Sequence, residues 1–152
     1  MITENLKLSG QLNIVLKDAA GNIKDEREVK NLVVTTGLGF IASRIVGTSK
    51  GVMSHMALGS STQVALAGQT DLSSILGNRL ALASSTITGS GDNQIAFAAT
   101  FGAGDGTGAV TEAGIFNANT GGDMLCRTVF SVVNKSADDT ISITWTVTIA
   151  AS

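Results

Sequence analysis

From Ile141 to Ile149 the chain alternates. Ile141, Ile143, Trp145, Val147 and Ile149 fall on one side of a period of two, and Ser142, Thr144, Thr146 and Thr148 on the other. Successive residues of a strand point to opposite faces, so Asp139–Ile149 predicts a strand with one apolar and one hydroxyl-bearing face. Large apolar side chains contribute about 1.5–3 kcal/mol each only when buried. This face therefore demands a cover, either a second sheet or a helix. The same period runs through Leu6, Leu8, Leu12, Ile14 and Leu16, interrupted at Gly10, and predicts a long strand from about Leu6 to Lys17. Asp18-Ala-Ala-Gly21-Asn22 carries the Gly and Asn that a tight turn needs, and a return strand from Ile23 to about Val34 follows. Its charged middle, Asp25-Glu-Arg-Glu28, implies an exposed hairpin or an edge protected by charge. Residues 1–28 are expected as the most detachable part of the chain. They read as a strand or hairpin arm that reaches a neighbour, or as a plain hairpin at the sheet edge. Residues 29–152 then form a β-sandwich domain, the whole being one globular unit.

From Thr36 to Gly47 the period becomes helical. Leu38, Ile41, Ala42 and Ile45 make a stripe, Thr35 or Thr36 can cap it, Gly47 can stop it, and Arg44 lies off it toward solvent. This short helix is expected as a lid over one end of the sheet. Val52–Leu58 reads as a strand ending in Gly59-Ser-Ser, and Gln63–Ala67 as loop. Asp71-Leu-Ser-Ser-Ile-Leu76 fits one helical turn or a lead into the next strand. Leu80–Thr88 and Gln94–Phe101 flank Gly89–Asn93 as a hairpin, with Phe97 and Phe101 on one face. Val110–Phe116 and Met124–Val133 complete a count of eight or nine strands with one or two short helices. The fold class is mainly β: a single-domain antiparallel β-sandwich.

Composition sharpens this picture. At 152 residues one domain is expected. The charged share is only 14%, against about 25% for typical soluble domains, and the 18 glycines with many Ser, Thr and Ala suit short strands joined by turns. A net charge of −2 gives little like-charge repulsion, which favours a subunit of a homo-oligomer over a free monomer. Ten basic residues scattered among twelve acidic ones do not form the cluster that phosphate backbones require, so nucleic acid is excluded as a partner. No apolar run long enough for a membrane helix occurs. The N-terminus lacks the basic and apolar regions of a signal peptide, so synthesis in a cytoplasm without secretion is expected. Cys126, the single cysteine, reads as a buried small hydrophobe, leaving no intrachain disulfide and no cysteine-based zinc site.

Candidate chemistry is sparse. Gly102–Gly108 resembles a phosphate loop in glycine content, but Ala109-Val110-Thr111 follows in place of a Lys-Ser/Thr pair and a helix, so it reads as a turn. Asp105 within it supplies too few oxygens for calcium. His55, the one histidine, lies in a strand. A triad with Asp71 and a serine, or a dyad with Cys126, lacks any nucleophile elbow, and His55 reads as a packed or interface side chain. Glu112 and Arg127 can pair across neighbouring strands or across a subunit boundary; the plain alternative is two exposed charges. Asn134-Lys-Ser136 matches a glycosylation sequon that has no meaning without secretion. No catalytic, cofactor-binding or metal residue is assigned.

Two blocks carry a family resemblance. One is Val29-Lys-Asn31-Leu-Val-Val with Gly37, Phe40-Ile-Ala-Ser-Arg-Ile45 and Met56-Ala-Leu-Gly59-Ser. The other is Glu112-Ala-Gly-Ile-Phe116-Asn-Ala, Gly121-Gly-Asp-Met-Leu-Cys-Arg127-Thr-Val-Phe130 and Asp139-Thr-Ile-Ser-Ile-Thr-Trp145-Thr-Val-Thr. Their order, over about residues 29–149, resembles small virion structural proteins of tailed bacteriophages, described as head-decoration or tail-fibre components. The resemblance implies a jelly-roll-like sandwich, without enzymatic activity, that cements a capsid. It implies the major capsid protein or another virion protein as partner, self-association such as a trimer, and residence in the virion. Its alternative is a tail, tail-fibre or baseplate component that binds a host surface. The first 28 residues have no counterpart in it and are expected to hold attachment specificity.

Overall fold

The computed structural model describes residues 4–151. Nine strands and one helix follow in the order β1 (Leu6–Lys17), β2 (Ile23–Val33), α1 (Thr35–Ile45), β3 (His55–Gly59), β4 (Leu80–Ala81), β5 (Ser84–Thr88), β6 (Gln94–Phe101), β7 (Gly108–Phe116), β8 (Met124–Lys135) and β9 (Thr140–Ala151). The strands form one antiparallel sheet, ordered β4-β3-β7-β8-β2-β1-β9-β6-β5, curled into half a barrel. The alternation at the C-terminus does produce a strand with one buried face. Its cover, however, comes from the sheet itself. The expected sandwich of separate sheets gives way to a single sheet whose two halves curl toward one another.

The bend is at β2. This strand pairs with β1 from Ile23 to Asn31, and only its last two residues, Leu32 and Val33, pair with Arg127 and Cys126 of β8. Where that ladder stops, Arg27 takes over. Its guanidinium donates to the Ser131 and Val132 carbonyls and pairs with Asp25 at 2.7 Å. Half of the charged middle of β2 thus fastens the two halves of the sheet instead of guarding an edge. At the opposite side the chain from Leu80 to Thr88 leaves β3 and joins β6. The Leu82 amide donates to Ser54 and the Ala83 amide to Ala98, both at 2.8 Å. One short segment therefore touches both margins of the curled sheet.

The N-terminal hairpin is not a detachable arm. β1 lies between β2 and β9 and pairs with β9 along its whole length, from Leu6↔Ala151 to Lys17↔Thr140. Leu12, Ile14 and Leu16 are buried in the same core as Trp145, Ile143 and Phe101. The local charge of residues 25–28 suggested an edge; the apolar face of β1 wins, because it supplies three core side chains. Removing the described strand part of this segment, residues 6–28, would expose β9 and open the core, so those residues are scaffold.

Two small residues set the spacing inside this core. Gly10 stands opposite Asn31, and a Cβ on it would overlap the Asn31 side chain. Asn31 lies over Gly10 with Oδ1 accepting from the Trp145 indole Nε1 at 2.8 Å, which lets the largest core residue be wholly buried with its donor satisfied. Helix α1 packs on β8, and a Cβ at Gly37 would overlap the Leu125 carbonyl. Its buried stripe is Gly37 and Phe40, flanked by Ile41. Leu38 and Ile45 are exposed, contrary to the expected stripe. Close approach through a glycine rotates the helix by about one residue, or 100°, from the face that hydropathy alone selects. Neither expected threonine caps it; Val34 occupies the N-cap position without a side-chain bond.

Candidate functional site

Glu112 on β7 and Arg127 on β8 form the most completely buried charged pair among the described residues. They sit diagonally across the β7–β8 ladder, Glu112 opposite Val129 and Arg127 opposite Gly114. Their ion pair spans 2.7 Å with both side chains fully buried. The carboxylate accepts from Arg127 Nε at 3.0 Å and Nη2 at 2.7 Å, and from the backbone amides of Ser61, Ser73 and Ser74 at 3.3, 3.1 and 2.8 Å. The guanidinium also donates to the Gln63 carbonyl at 3.0 Å and Gln69 Oε1 at 2.9 Å. The pair therefore holds the long connection between β3 and β4, which has no regular strand or helix of its own. Of the sequence-stated alternatives, pairing across neighbouring strands within one chain is the one realised. A buried pair left partly unsatisfied would be costly; here each group has several partners.

Glycine makes room for this clasp. A Cβ at Gly59 would overlap the Glu112 carboxylate and the Ser74 carbonyl, and one at Gly114 would press on Leu72 and the Phe116 ring. Leu72 in turn caps a small second core with Val34, Ala57, Phe116 and Met124 on the outer face of β3 and β7. Arg79 finishes the loop. It lies 3.5 Å over the Phe116 ring, donates to the Ala118 and Gly121 carbonyls, and pairs with Asp71 at 3.2 Å. None of the Gln63, Gln69, Arg79 or Asn31 roles has a local sequence signal, because each depends on which strand is next door.

The remaining candidates do not converge. His55 lies on the outer face of β3 opposite Phe116, its Nδ1 2.8 Å from Ser54 Oγ. Cys126 faces the inner core two strands away, about 10 Å at usual strand spacing. Burial raises the Cys126 thiol pKa well above its ordinary value, so it packs as a small hydrophobe. Asp71 is engaged by Arg79 and the Leu72 amide. The glycine-rich stretch before β7 is a turn over residues 102–107, with Gly104 and Gly106 at φ 83° and 60°, and Gly108 opens the strand. The Gly102 carbonyl accepts from Lys135 Nζ at 2.8 Å. Burial lowers the Lys135 pKa, opposed by the nearby charges of Asp105 and Asp139. Asn134 is exposed on β8. Among the described residues no three His, Cys, Asp or Glu side chains are grouped to hold a metal ion, and no helix is long and apolar enough to cross a membrane.

Two surface features stand out instead. The outer face of β2, β1, β9 and β6 forms a polar trough of about 800 Å³, lined by Ser9, Gln11, Asn13, Thr144 and Thr146 together with the charged Lys7, Glu28 and Lys30. Its strictly alternating strands place every one of these groups opposite the core. On the inner side, α1 and the β5–β6 hairpin leave an apolar cleft of about 520 Å³ between them, lined by Phe40, Val52, Ile87, Ile95, Phe97 and Ile149 among others. Among the described residues Arg44 is the only charged one at its margin, and its Nη1 donates to the Lys50 carbonyl.

No protein-family model, curated protein or solved structure matches the chain.

Proposed function

We propose that the chain is a non-enzymatic structural protein of a phage virion, a decoration or cement protein that seats on the capsid and stiffens it. The observation that carries this reading is the sidedness of the long strands. One face is buried in a core with Trp145 at its centre, and the other is a polar trough in which hydroxyl and amide groups stand beside the charged Lys7, Glu28 and Lys30. Such a face can exchange hydrogen bonds with a neighbouring subunit over a wide area, while the clasped loop and curled sheet keep the block rigid. A sheet that covers itself performs the mechanical part of the jelly-roll-like sandwich that the resemblance over residues 29–149 implies. A protein that binds only the assembled shell stabilises it by mass action, so each copy adds resistance to internal pressure. The partner in this reading is the major capsid protein, and attachment lies in the trough, to which the scaffold strand β1 itself contributes Ser9, Gln11 and Asn13.

A tail or tail-fibre component that binds host-surface sugar is the second reading, favoured by the same amide and hydroxyl groups. Sugar-binding faces usually add an exposed aromatic platform, and Trp145 is wholly buried on the opposite side of the sheet. The test is to add the purified chain to undecorated heads of the virus that encodes it, measuring occupancy and heat resistance. Wild type should bind and raise heat resistance, and Thr146→Arg should lower occupancy while its melting temperature stays unchanged. Binding to tails but not heads would move the assignment to the second reading.

A further inference from the structure

The sheet has two margins, and they differ. β4 is two residues long. β5, Ser84-Ser-Thr-Ile-Thr88, pairs with β6 on one side and, among the described residues, with no strand on the other. An open edge presents unpaired backbone donors and acceptors. Proteins that must remain single guard such edges with charge, proline or a bulge. β5 has no charged residue and no proline, and its register with β6 runs without a bulge from Ser84↔Ala98 to Thr88↔Gln94.

The apolar cleft lies directly beside this edge. Ser85 and Ile87, the residues of β5 that face inward, both line it, and Ile87 is 66% exposed. A strand laid antiparallel on β5 would project alternate side chains over the cleft. The incoming strand therefore needs an apolar residue set among small polar ones at a spacing of two, and β5 itself has that pattern. With a two-fold axis at Thr86, residues 84–88 of one copy pair with residues 88–84 of another. Thr86 then meets Thr86, and each Ile87 stands opposite the small Ser85 of the other chain. Directly opposed residues share a face, so each Ile87 enters the other copy's cleft beside Phe97. A free fatty acid would need a cation at the cleft mouth, and Arg44 is already turned to the Lys50 carbonyl.

We infer that β5 and the adjoining apolar cleft are a self-association site, joining two copies of this chain edge to edge into one continuous sheet. The contact is independent of the polar trough and of any place in a virion. It is two-fold, where the resemblance implies self-association such as a trimer. A ladder this short makes a small interface, so the dimer is weak and depends on concentration.

Sedimentation equilibrium of the full chain over a wide concentration series tests it. The mass should rise from 15.4 kDa toward twice that value. Ile87→Lys should hold it at the monomer value without moving the melting temperature, since the side chain is mostly exposed. Thr86→Cys should give a covalent dimer under oxidising conditions, whereas the wild-type chain, whose Cys126 is buried, should not. A monomer at every concentration overturns the inference, as does a dimer or trimer that Ile87→Lys leaves intact. A dimer that Ile87→Lys dissolves but Thr86→Cys fails to cross-link overturns the two-fold arrangement.

Discussion

The β3–β7–β8 half of the molecule and its β5–α1 end treat exposed groups in opposite ways. In the first, a long loop without regular structure is fixed through one buried carboxylate that accepts three loop amides and a guanidinium. In the second, backbone groups along β5 and apolar side chains such as Ile87 and Val52 stay uncovered, although the same chain had the means to shield them. A loop of this length costs considerable chain entropy to order. A buried ion pair orders this loop while a short strand is left open, so rigidity is concentrated in one half, and the proposed self-association would use the other.

Glu112→Ala should break that contrast most severely. It leaves Arg127 buried without its counter-charge, and a loss of about 3–5 kcal/mol is expected in urea denaturation. Adding Arg127→Met should recover part of the loss, because the uncompensated charge is then gone. A double variant no more stable than Glu112→Ala alone would mean that the loop amides, and not the buried charge, dominate. Gly10→Ala comes next, at about 1–3 kcal/mol, since the new methyl must displace Asn31 from the Trp145 indole. Near-UV circular dichroism of Trp145 should change with it.

A smaller effect is expected from acid. Asp139 accepts from Lys24 Nζ at 2.7 Å and from the Ser136 amide, and these hold its pKa below the ordinary 3.8. The folded state therefore binds fewer protons than the unfolded chain near that value. The contribution is complete above the unfolded pKa and disappears as pH falls through the lower folded one. Asp139→Asn should flatten this part of the stability profile below pH 4, and an unchanged acid limb would show that other carboxylates govern it. Smallest of all, Ile87→Ser in dilute solution should alter stability by less than about 0.5 kcal/mol, because that side chain has little to lose until another copy arrives.

Strand positions were legible in the sequence wherever an alternating face is buried on one side only, as in β1, β6 and β9. The hairpin at Gly89–Asn93 and the turn over residues 102–107 were legible for the same local reason. Sheet order was not. The charges at 25–28 suggested an edge, yet Arg27 bridges to β8, a contact some hundred residues away in sequence that no local pattern encodes. The buried stripe of α1 was misplaced because glycine packs by proximity and not by hydropathy. The strand from Leu80 to Thr88 is split between two margins, a corner that periodicity reads as one continuous element. Glu112 and Arg127 were visible as partners, but the loop they hold was not, since Ser61, Ser73 and Ser74 contribute backbone amides that carry no sequence signature.

Hydrogen exchange, residue by residue and at two protein concentrations, tests this division of labour most directly. The amides of Ser61, Ser73 and Ser74 should be protected nearly to the level of global unfolding at both concentrations, despite lying in a loop. The edge amides of β5 should exchange rapidly when dilute and slow down when concentrated. Fast exchange in the loop together with concentration-independent protection along β5 would contradict the account.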